Sequence, residues 1–470
     1  MMKSVYLLYI KDSKEGSRDY SGLMQTGLLK TVPKLGLQYL HAILQQNNFS
    51  VILWDQEIEN FTIESLSAEF KKNPPLFIGL YSSEKIRNAV IYFIRKIRLL
   101  NPDLSIVVGG PDYFSYESYL QAGCSFVCCG EGEKTILDIA RYAQGECQRE
   151  SLKGVYYRDG EKIFQTSPQP LIENLDMLPF PIRQHWDQYA DFHYLGMRKP
   201  YVHMMTSRGC GHACSYCSTP YVWGKIVRRR SLDNIFAEIA YLVEQCQVKY
   251  ISFKDDRFFP DLEWLRAFCR ELIRRKYPLR FNCSACPADF KDNGEEKLDL
   301  LKTAGCDALI FGLQSTDKMI LKSIHRNPKD VDSLSPVIRY ANTIQLFTIV
   351  EFIFGLPGDT RESLESAIRY ALETKPYFVQ FNQLMIFKGS ELYSQTKKGL
   401  ATCLLNQKQI RKMILQGYLR FYLNPEILYK NFRYIIKNNP RWFMEARHVY
   451  KYPFLGAYYY FLEKRGENIL

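Results

Sequence analysis

The chain has 470 residues, 46% of them hydrophobic and 24% charged, the balance of a globular protein long enough for two or three domains. Thirteen scattered cysteines, an odd number, argue against a secreted disulfide framework and predict a reducing, cytoplasmic setting. No signal peptide precedes the first strand-like run, no apolar stretch approaches the ~20 residues of a membrane span, and the net charge of +12 is concentrated in residues 401–470, where twelve Lys and Arg stand against four acids.

Short apolar runs rich in β-branched residues, at 5–10 (VYLLYI), 51–55 (VILWD), 77–83 (FIGLYSS) and 105–110 (SIVVGG), predict strands. Helix-like segments at 35–47, 62–72 and 84–100 lie between them. This alternation predicts a doubly wound, Rossmann-like α/β domain with a parallel sheet. Ligands of such sheets sit at the carboxyl ends of the strands. Those ends carry Asp55, Tyr81-Ser82-Ser83 and Gly109-Gly110-Pro111-Asp112. Another short strand follows at Cys124 to Cys129, then Gly130-Glu131-Gly132-Glu133 and a helix from about Lys134. Taken alone, the glycine-rich pieces fit plain turn chemistry as well as a ligand site.

The next signal is Thr206-Ser207-Arg208-Gly209-Cys210-Gly211-His212-Ala213-Cys214-Ser215-Tyr216-Cys217, after the apolar stretch Tyr201 to Met205. Three thiolates spaced C-x3-C-x2-C on one loop suit three irons of a cubane 4Fe–4S cluster and leave the fourth open for chemistry. A zinc knuckle would call for a fourth Cys or His at matched spacing, and His212 inside the first interval is poorly placed for that. Beyond the loop, a helix starts near Ser231 or Asp233, which are both capping residues. Strands follow at 249–253, ending in Lys254-Asp255-Asp256, and at 279–284, 307–312, 349–355 and 378–384. With the stretch before the cysteines this gives six parallel units, too few for a closed eightfold barrel.

The cysteine loop resembles that of the radical S-adenosylmethionine (SAM) enzymes. The order Val32-Pro33-Lys34-Leu35-Gly36-Leu37, then GGP, GEGE and Leu175-Asp176-Met177-Leu178-Pro179-Phe180-Pro181, resembles those family members that carry a cobalamin-binding domain. The resemblance covers about residues 1–395. It implies a cobalamin-binding-type domain at 1–165, a linker at 166–195, a partial (β/α)6 TIM-like barrel at 196–395 and a small helical, basic and aromatic region at 396–470.

The same resemblance implies the sites. Cys210, Cys214 and Cys217 would hold the cluster and SAM would complete it. Asp255 and Asp256 stand where the family binds the SAM amino group, with a helix or loop cap as the plainer alternative. Gln314-Ser315 fall in a Gly-x-Glu-Ser element, with Gln replacing Glu. Gly355 and Pro357 belong to the glycine-rich turn near the adenine, and Tyr216 precedes the third cysteine. Cobalamin would meet Asp55, Tyr81, Ser82, Ser83, Gly109, Gly110, Pro111, Gly130, Glu131, Gly132 and Glu133. The Asp-x-His-x-x-Gly motif is absent and Asp112 stands where relatives often have His, so a histidine lower ligand to cobalt is not expected.

The activity implied is reductive cleavage of SAM and hydrogen abstraction from an unactivated carbon, with cobalamin-dependent methyl transfer the first expectation. Radical cyclisation, oxidation or ring rearrangement are alternatives. A methylthiotransferase would need a second cysteine triad, and Cys124, Cys128 and Cys129 lie on and beside a strand, where buried Cys is ordinary. A non-catalytic iron–sulfur or cobalamin sensor is the reading from another class. Expected partners are a small-molecule substrate, hydrophobic or lipid-like, and a reductant such as flavodoxin or ferredoxin. The basic aromatic tail fits peripheral membrane contact or a packed helical cap; no RNA-binding motif accompanies it.

Overall fold

The computed structural model describes residues 4–11, 34–183, 201–259, 261–399 and 403–438. Val32-Pro33, residues 184–195 of the linker before the cysteine loop and the tail past Asn438 lie outside them. The chain forms two compact units. One holds the described residues up to Arg183 together with Ser218–Asn234, and the other holds the described part of Ala190–Cys217 and what is described from Ile235 onward.

The first unit is built on one sheet, with strands β1 (Ser4–Tyr9), β2 (Val51–Asp55), β3 (Pro75–Tyr81), β4 (Ile106–Gly109), β5 (Phe126–Cys128), β6 (Val155–Asp159) and β7 (Lys162–Gln165). Their order is β2-β1-β3-β4-β5-β6-β7. The first five run parallel, as the alternating pattern predicts. β6 and β7 form an antiparallel hairpin at the edge, turning at Gly160-Glu161 with Gly160 at φ +60°. The central strand β1 is continuously apolar because both its faces are covered, and Val5 to Leu8 are fully buried. Helices α1 (Leu35–Gln46), α2 (Ile63–Lys72), α3 (Arg87–Leu100), α4 (Tyr116–Gln121) and α5 (Gly132–Ala143) complete the unit. Apolar positions at helical spacing, Val90, Ile94 and Ile97 on α3 and Ile136 and Ile139 on α5, pack into its core.

The second unit is a six-stranded parallel sheet, with strands β8 (Tyr201–Met204), β9 (Tyr250–Phe253), β10 (Arg280–Ala285), β11 (Cys306–Gln314), β12 (Phe347–Phe354) and β13 (Phe378–Gln383) in sequential order. This is the predicted six-unit partial barrel. Its outer layer is aromatic: Phe268, on the helix Leu262–Arg275, meets Phe253 of β9 and Phe281 of β10 with ring centroids 5.8 and 6.1 Å apart. Each such buried ring contributes ~2 kcal/mol of transfer free energy. Two helices, Gln407–Tyr422 and Pro425–Asn438, follow the barrel, so the helical reading of this region holds for its described part. Among the described residues no helix is long and apolar enough to cross a membrane.

Candidate active site

Cys210, Cys214 and Cys217 lie on the loop after β8, half-buried and free of disulfides. Gly209 and Gly211 flank Cys210 at φ +91° and +75°, left-handed values that let the chain curl around the first thiol. Backbone bonds pin the loop. Cys217 N–H donates to Cys214 O at 3.0 Å, Ser215 N–H to Ile324 O at 3.2 Å, and Leu392 N–H to Ser215 O at 2.8 Å. Burial pushes the Cys210 thiol up to about 11, and Asp256, Cys214 and Cys217 push it the same way. The thiol therefore holds its proton at neutral pH, and a metal must displace it. Among the described residues no three His, Cys, Asp or Glu side chains gather round a single ion position. A cubane asks instead for one thiolate per corner, and a spaced triad on one loop fits that demand.

Asp255 and Asp256 follow β9 side by side but face different surroundings. Asp255 is buried, and its Oδ1 accepts from Thr206 N–H at 3.0 Å, Thr206 Oγ1 at 2.7 Å and Ser207 Oγ at 2.5 Å. It ties β9 to the chain just before the cysteines. Asp256 is exposed and lies within electrostatic reach of Cys210. The plainer reading of the pair, a loop cap, thus describes Asp255.

Gln314 ends β11 at φ +72°, and a Cβ on Gly312 would stand 2.4 Å from its Nε2, so a side chain at 312 would push the Gln314 amide aside. Ser315 Oγ accepts from Asp317 N–H at 3.1 Å. Gly355 turns at φ +98°, and Asp359 clamps the turn. Its Oδ2 accepts from Gly355 and Leu356 N–H at 2.9 and 2.8 Å, and Ser363 Oγ donates to its Oδ1 at 2.7 Å. Pro357 lies between the two glycines of this turn. The Tyr216 side chain packs against the buried cluster of Ile320, Leu321, Ile324 and Leu356.

Arg326 is a neighbour that the motif reading missed. It is largely enclosed, pairs with Asp330 at 3.2 Å, donates to Gly312 O and leaves its Nε without a protein partner. Tyr216, Cys286 and Cys214 all lie in its field. A fixed cation here favours thiolates over thiols. Cys286 Sγ also approaches His212 Nε2 at 3.6 Å, and burial pushes that thiol up to about 12. The sequence signal for Arg326 was only its position, one helix after the Gly-x-Gln-Ser element.

In the first unit the order β2-β1-β3 makes the ends of β1 and β3 a topological switch point, the usual ligand crevice. Tyr9 ends β1 and Tyr81 ends β3, with ring centroids 5.9 Å apart. Lys34 Nζ lies 4.5 Å from the Tyr9 ring centroid, and burial pushes its ammonium down against the pull of Asp55 and Glu57. Tyr81 and Asp55 were expected as cobalamin contacts, whereas Lys34 stood only as part of the Val32–Leu37 motif and Tyr9 was not singled out. A Cβ on Gly110 would clash with Ser82 O at 2.4 Å, so the β4 end presses on the β3 end, with Ser83 next along the chain. Beside Gly109 and Pro111, Asp112 is fully engaged. Arg87 grips it at 2.6 and 2.7 Å, and Tyr119 and Ser115 donate to it at 2.5 and 3.1 Å. Asp112 is thus committed to partners within this unit. A Cβ at Gly130 or Gly36 would meet open space, which leaves room for a flat ligand along these backbones. Gly132 and Glu133 begin α5, where Glu133 is buried. Glu131 serves the fold: it takes Arg228 Nη1 at 2.9 Å and Ile172 N–H at 2.6 Å, all inside this unit.

Two family models match the chain, the radical SAM superfamily over residues 204–371 and the B12 binding domain over 28–140. The chain belongs to the radical SAM enzymes that carry a cobalamin-binding domain. A 4Fe–4S cluster, SAM and cobalamin are accordingly its cofactors. The chain is similar to an uncharacterized methyltransferase of Pyrococcus horikoshii, 26% identical over 421 residues that cover 85% of this chain and 90% of that protein. It is 24% identical to the cytidylyl-2-hydroxyethylphosphonate methyltransferase of Streptomyces wedmorensis, covering 76% of each. It is 25% identical to the anaerobic magnesium-protoporphyrin IX monomethyl ester cyclase of a Synechocystis strain, covering 72% of this chain and 68% of that one. Among solved structures, the radical SAM methyltransferase TsrM from Kitasatospora setae shares the fold with a TM-score of 0.68 at 19% identity, over 84% of this chain and 76% of that one.

Proposed function

We propose that this radical SAM enzyme transfers a methyl group, by way of cobalamin, to an unactivated carbon of a small-molecule substrate. The observation that carries the reading is the presence in one chain of an open cysteine triad and a B12 binding domain, the combination found with methyltransferase relatives. When bound, the cluster supplies the electron for SAM cleavage and cobalamin supplies the methyl group.

The protein's own residues hold and orient. Cys210, Cys214 and Cys217 are the cluster ligands. Asp256, exposed beside Cys210, takes the SAM ammonium, while Asp255 stiffens the strand end that presents it. Gln314 and Ser315 offer uncharged hydrogen-bonding groups, and the turn of Gly355 and Pro357 leaves backbone open to the adenine. In the first unit Tyr9, Tyr81, Asp55 and Lys34, with the close-packed Ser82 and Gly110, cradle cobalamin.

A cyclase-type reaction is the second reading, favoured by the similarity to the Synechocystis cyclase. A cytoplasmic setting fits the free cysteines. A lipid-like substrate and peripheral membrane contact would depend on the tail past Asn438 and take second place here. The test is anaerobic reconstitution with iron, sulfide and hydroxocobalamin, then incubation with dithionite and methyl-labelled SAM. Near-stoichiometric cobalamin and reductant-dependent deoxyadenosine are expected, with deoxyadenosine lost in Cys214→Ala. Deoxyadenosine production that survives in Cys214→Ala overturns the cluster assignment, and a reconstituted protein without cobalamin overturns methyl transfer.

A further inference from the structure

Between Cys217 and Ser218 the chain passes from one unit to the other. Cys217, the last of the three cluster ligands, belongs to the second unit, and Ser218 begins a segment, Ser218–Asn234, that belongs to the first. Upstream of that peptide bond the anchors are the second unit's, Ile324 and Leu392, both bonded to Ser215. Downstream the tethers lie in the first unit. Tyr113 Oη donates to Tyr221 O at 3.1 Å, and the Phe114 ring meets the Tyr221 ring edge-on at 6.2 Å. Val222 packs against the core of that unit. Ser231 N–H donates to Asp176 Oδ1 at 2.9 Å.

One further tether is a buried ion pair. Arg228 Nη1 donates to the two Glu131 oxygens at 3.0 and 2.9 Å and to Ile172 O at 2.7 Å, and its Nη2 donates to Trp223 O at 2.9 Å. Ile172 N–H closes on the same carboxylate at 2.6 Å. The Arg228 and Glu131 side chains are 8% and 2% exposed. Attraction within such a pair only about offsets the cost of desolvating it, so its contribution is to geometry more than to net stability. Glu131 stands between Gly130, where a Cβ would meet open space, and Gly132, the first residue of α5. Its carboxylate turns into the unit, while Gly130 keeps its backbone beside the space read above as room for cobalamin.

We propose that Arg228 is a positioning residue that couples the two cofactor sites: through Glu131 it ties the loop beside cobalamin to the chain leaving Cys217, so that each cofactor, once bound, favours the other. The inference rests on the preceding reading of the cobalamin crevice and of Cys217 as a cluster ligand. Cobalamin that orders the Gly130–Gly132 backbone removes freedom from the Arg228 segment, and so from Cys217. Entropy lost in one binding event is not lost again in the other. Linkage then requires the effect to run in both directions with one factor.

The test is anaerobic equilibrium dialysis of hydroxocobalamin against the full-length protein, once with the reconstituted cluster and once free of iron. The cluster-loaded form is expected to bind cobalamin about fivefold more tightly or better, and iron release to EDTA to slow when cobalamin is present. In Arg228→Met the ratio of the two affinities is expected to fall to about one. That variant leaves Glu131 buried without its cation, so the pair Glu131→Gln and Arg228→Met, which removes both charges, stands in if it does not fold. A diglycine inserted between Ser218 and Thr219 keeps the ion pair, lengthens the tether and is expected to abolish the preference as well.

A clamp that served stability alone would lower the melting temperature of Arg228→Met and leave the ratio in place, and that result overturns the proposal. A ratio that survives the diglycine insertion overturns it too. Protein that holds its cluster but takes no cobalamin in either form overturns the cobalamin reading and the coupling together. Cobalamin bound equally by the loaded and iron-free native protein overturns the coupling alone.

Discussion

Tyr418 and Tyr422, one turn apart on the helix Gln407–Tyr422, close the open edge of the barrel sheet. The Tyr422 hydroxyl accepts from Val379 N–H at 3.2 Å and donates to Val379 O at 3.0 Å. The Tyr418 hydroxyl accepts from Phe381 N–H at 3.1 Å and lies 3.4 Å from Phe381 O. Two phenols thus stand in for the strand a full barrel would supply, and the edge is kept from pairing with another chain.

Removing either hydroxyl should leave a strand amide and carbonyl unmet. Tyr418→Phe and Tyr422→Phe are each expected to cost about 1–2 kcal/mol in unfolding free energy, read by denaturant titration. The double variant should also aggregate more readily, which light scattering would show. An unchanged stability in both would mean that water replaces the phenols at no cost.

Asp255 and Asp256 should separate cleanly. Asp255→Asn breaks charge-assisted bonds in a buried site and is expected to lower stability by ~2–3 kcal/mol. Asp256→Asn should leave the melting curve in place and weaken SAM binding about tenfold, measured by equilibrium dialysis on reconstituted protein.

Arg326→Met removes a buried cation from beside Cys214 and Tyr216 and leaves Asp330 without its partner. The expected result is less iron retained after desalting and a more negative cluster midpoint potential, because the added electron loses a nearby positive charge. Arg326→Lys, which keeps the charge, should recover much of the potential shift.

Burial raises the Asp359 carboxyl from its ordinary 3.8 to about 6. The folded state therefore binds the proton more tightly than the unfolded state. The stability this confers is complete below pH ~4 and is lost as pH rises through about 6. Asp359→Asn keeps an acceptor for Gly355 and Leu356 N–H but cannot titrate. The stability of the native protein relative to this variant should fall between those limits, and a flat difference would locate the proton elsewhere.

Much of this was legible in the sequence. Strand and helix alternation gave both sheets, because parallel strands buried on two faces read as continuous apolar runs. The cysteine loop was legible because its ligands are close in sequence. Glu131 and Asp255 were harder. Each looks like a ligand group in its motif, but the partners that engage them, Arg228 and Thr206, lie 97 and 49 positions away. Long-range ion pairs and hydrogen bonds leave no local pattern. The same holds for the tyrosines that cap β13. The β6–β7 hairpin has a local signal of its own, the Asp-Gly pair that closes β6 and opens the turn at Gly160-Glu161.

Backbone bonds from Ser215 to Ile324 and from Leu392 to Ser215 anchor the cysteine loop without calling on a sulfur. Ile324 and Leu392, which anchor it through Ser215, belong to the rest of the second unit. The receptacle is therefore held in part by the folded polypeptide itself. An enzyme stripped by oxygen would keep its shape and wait to be refilled, so air damage to this protein should be a matter of repair by the cell's iron–sulfur assembly machinery and not of disposal.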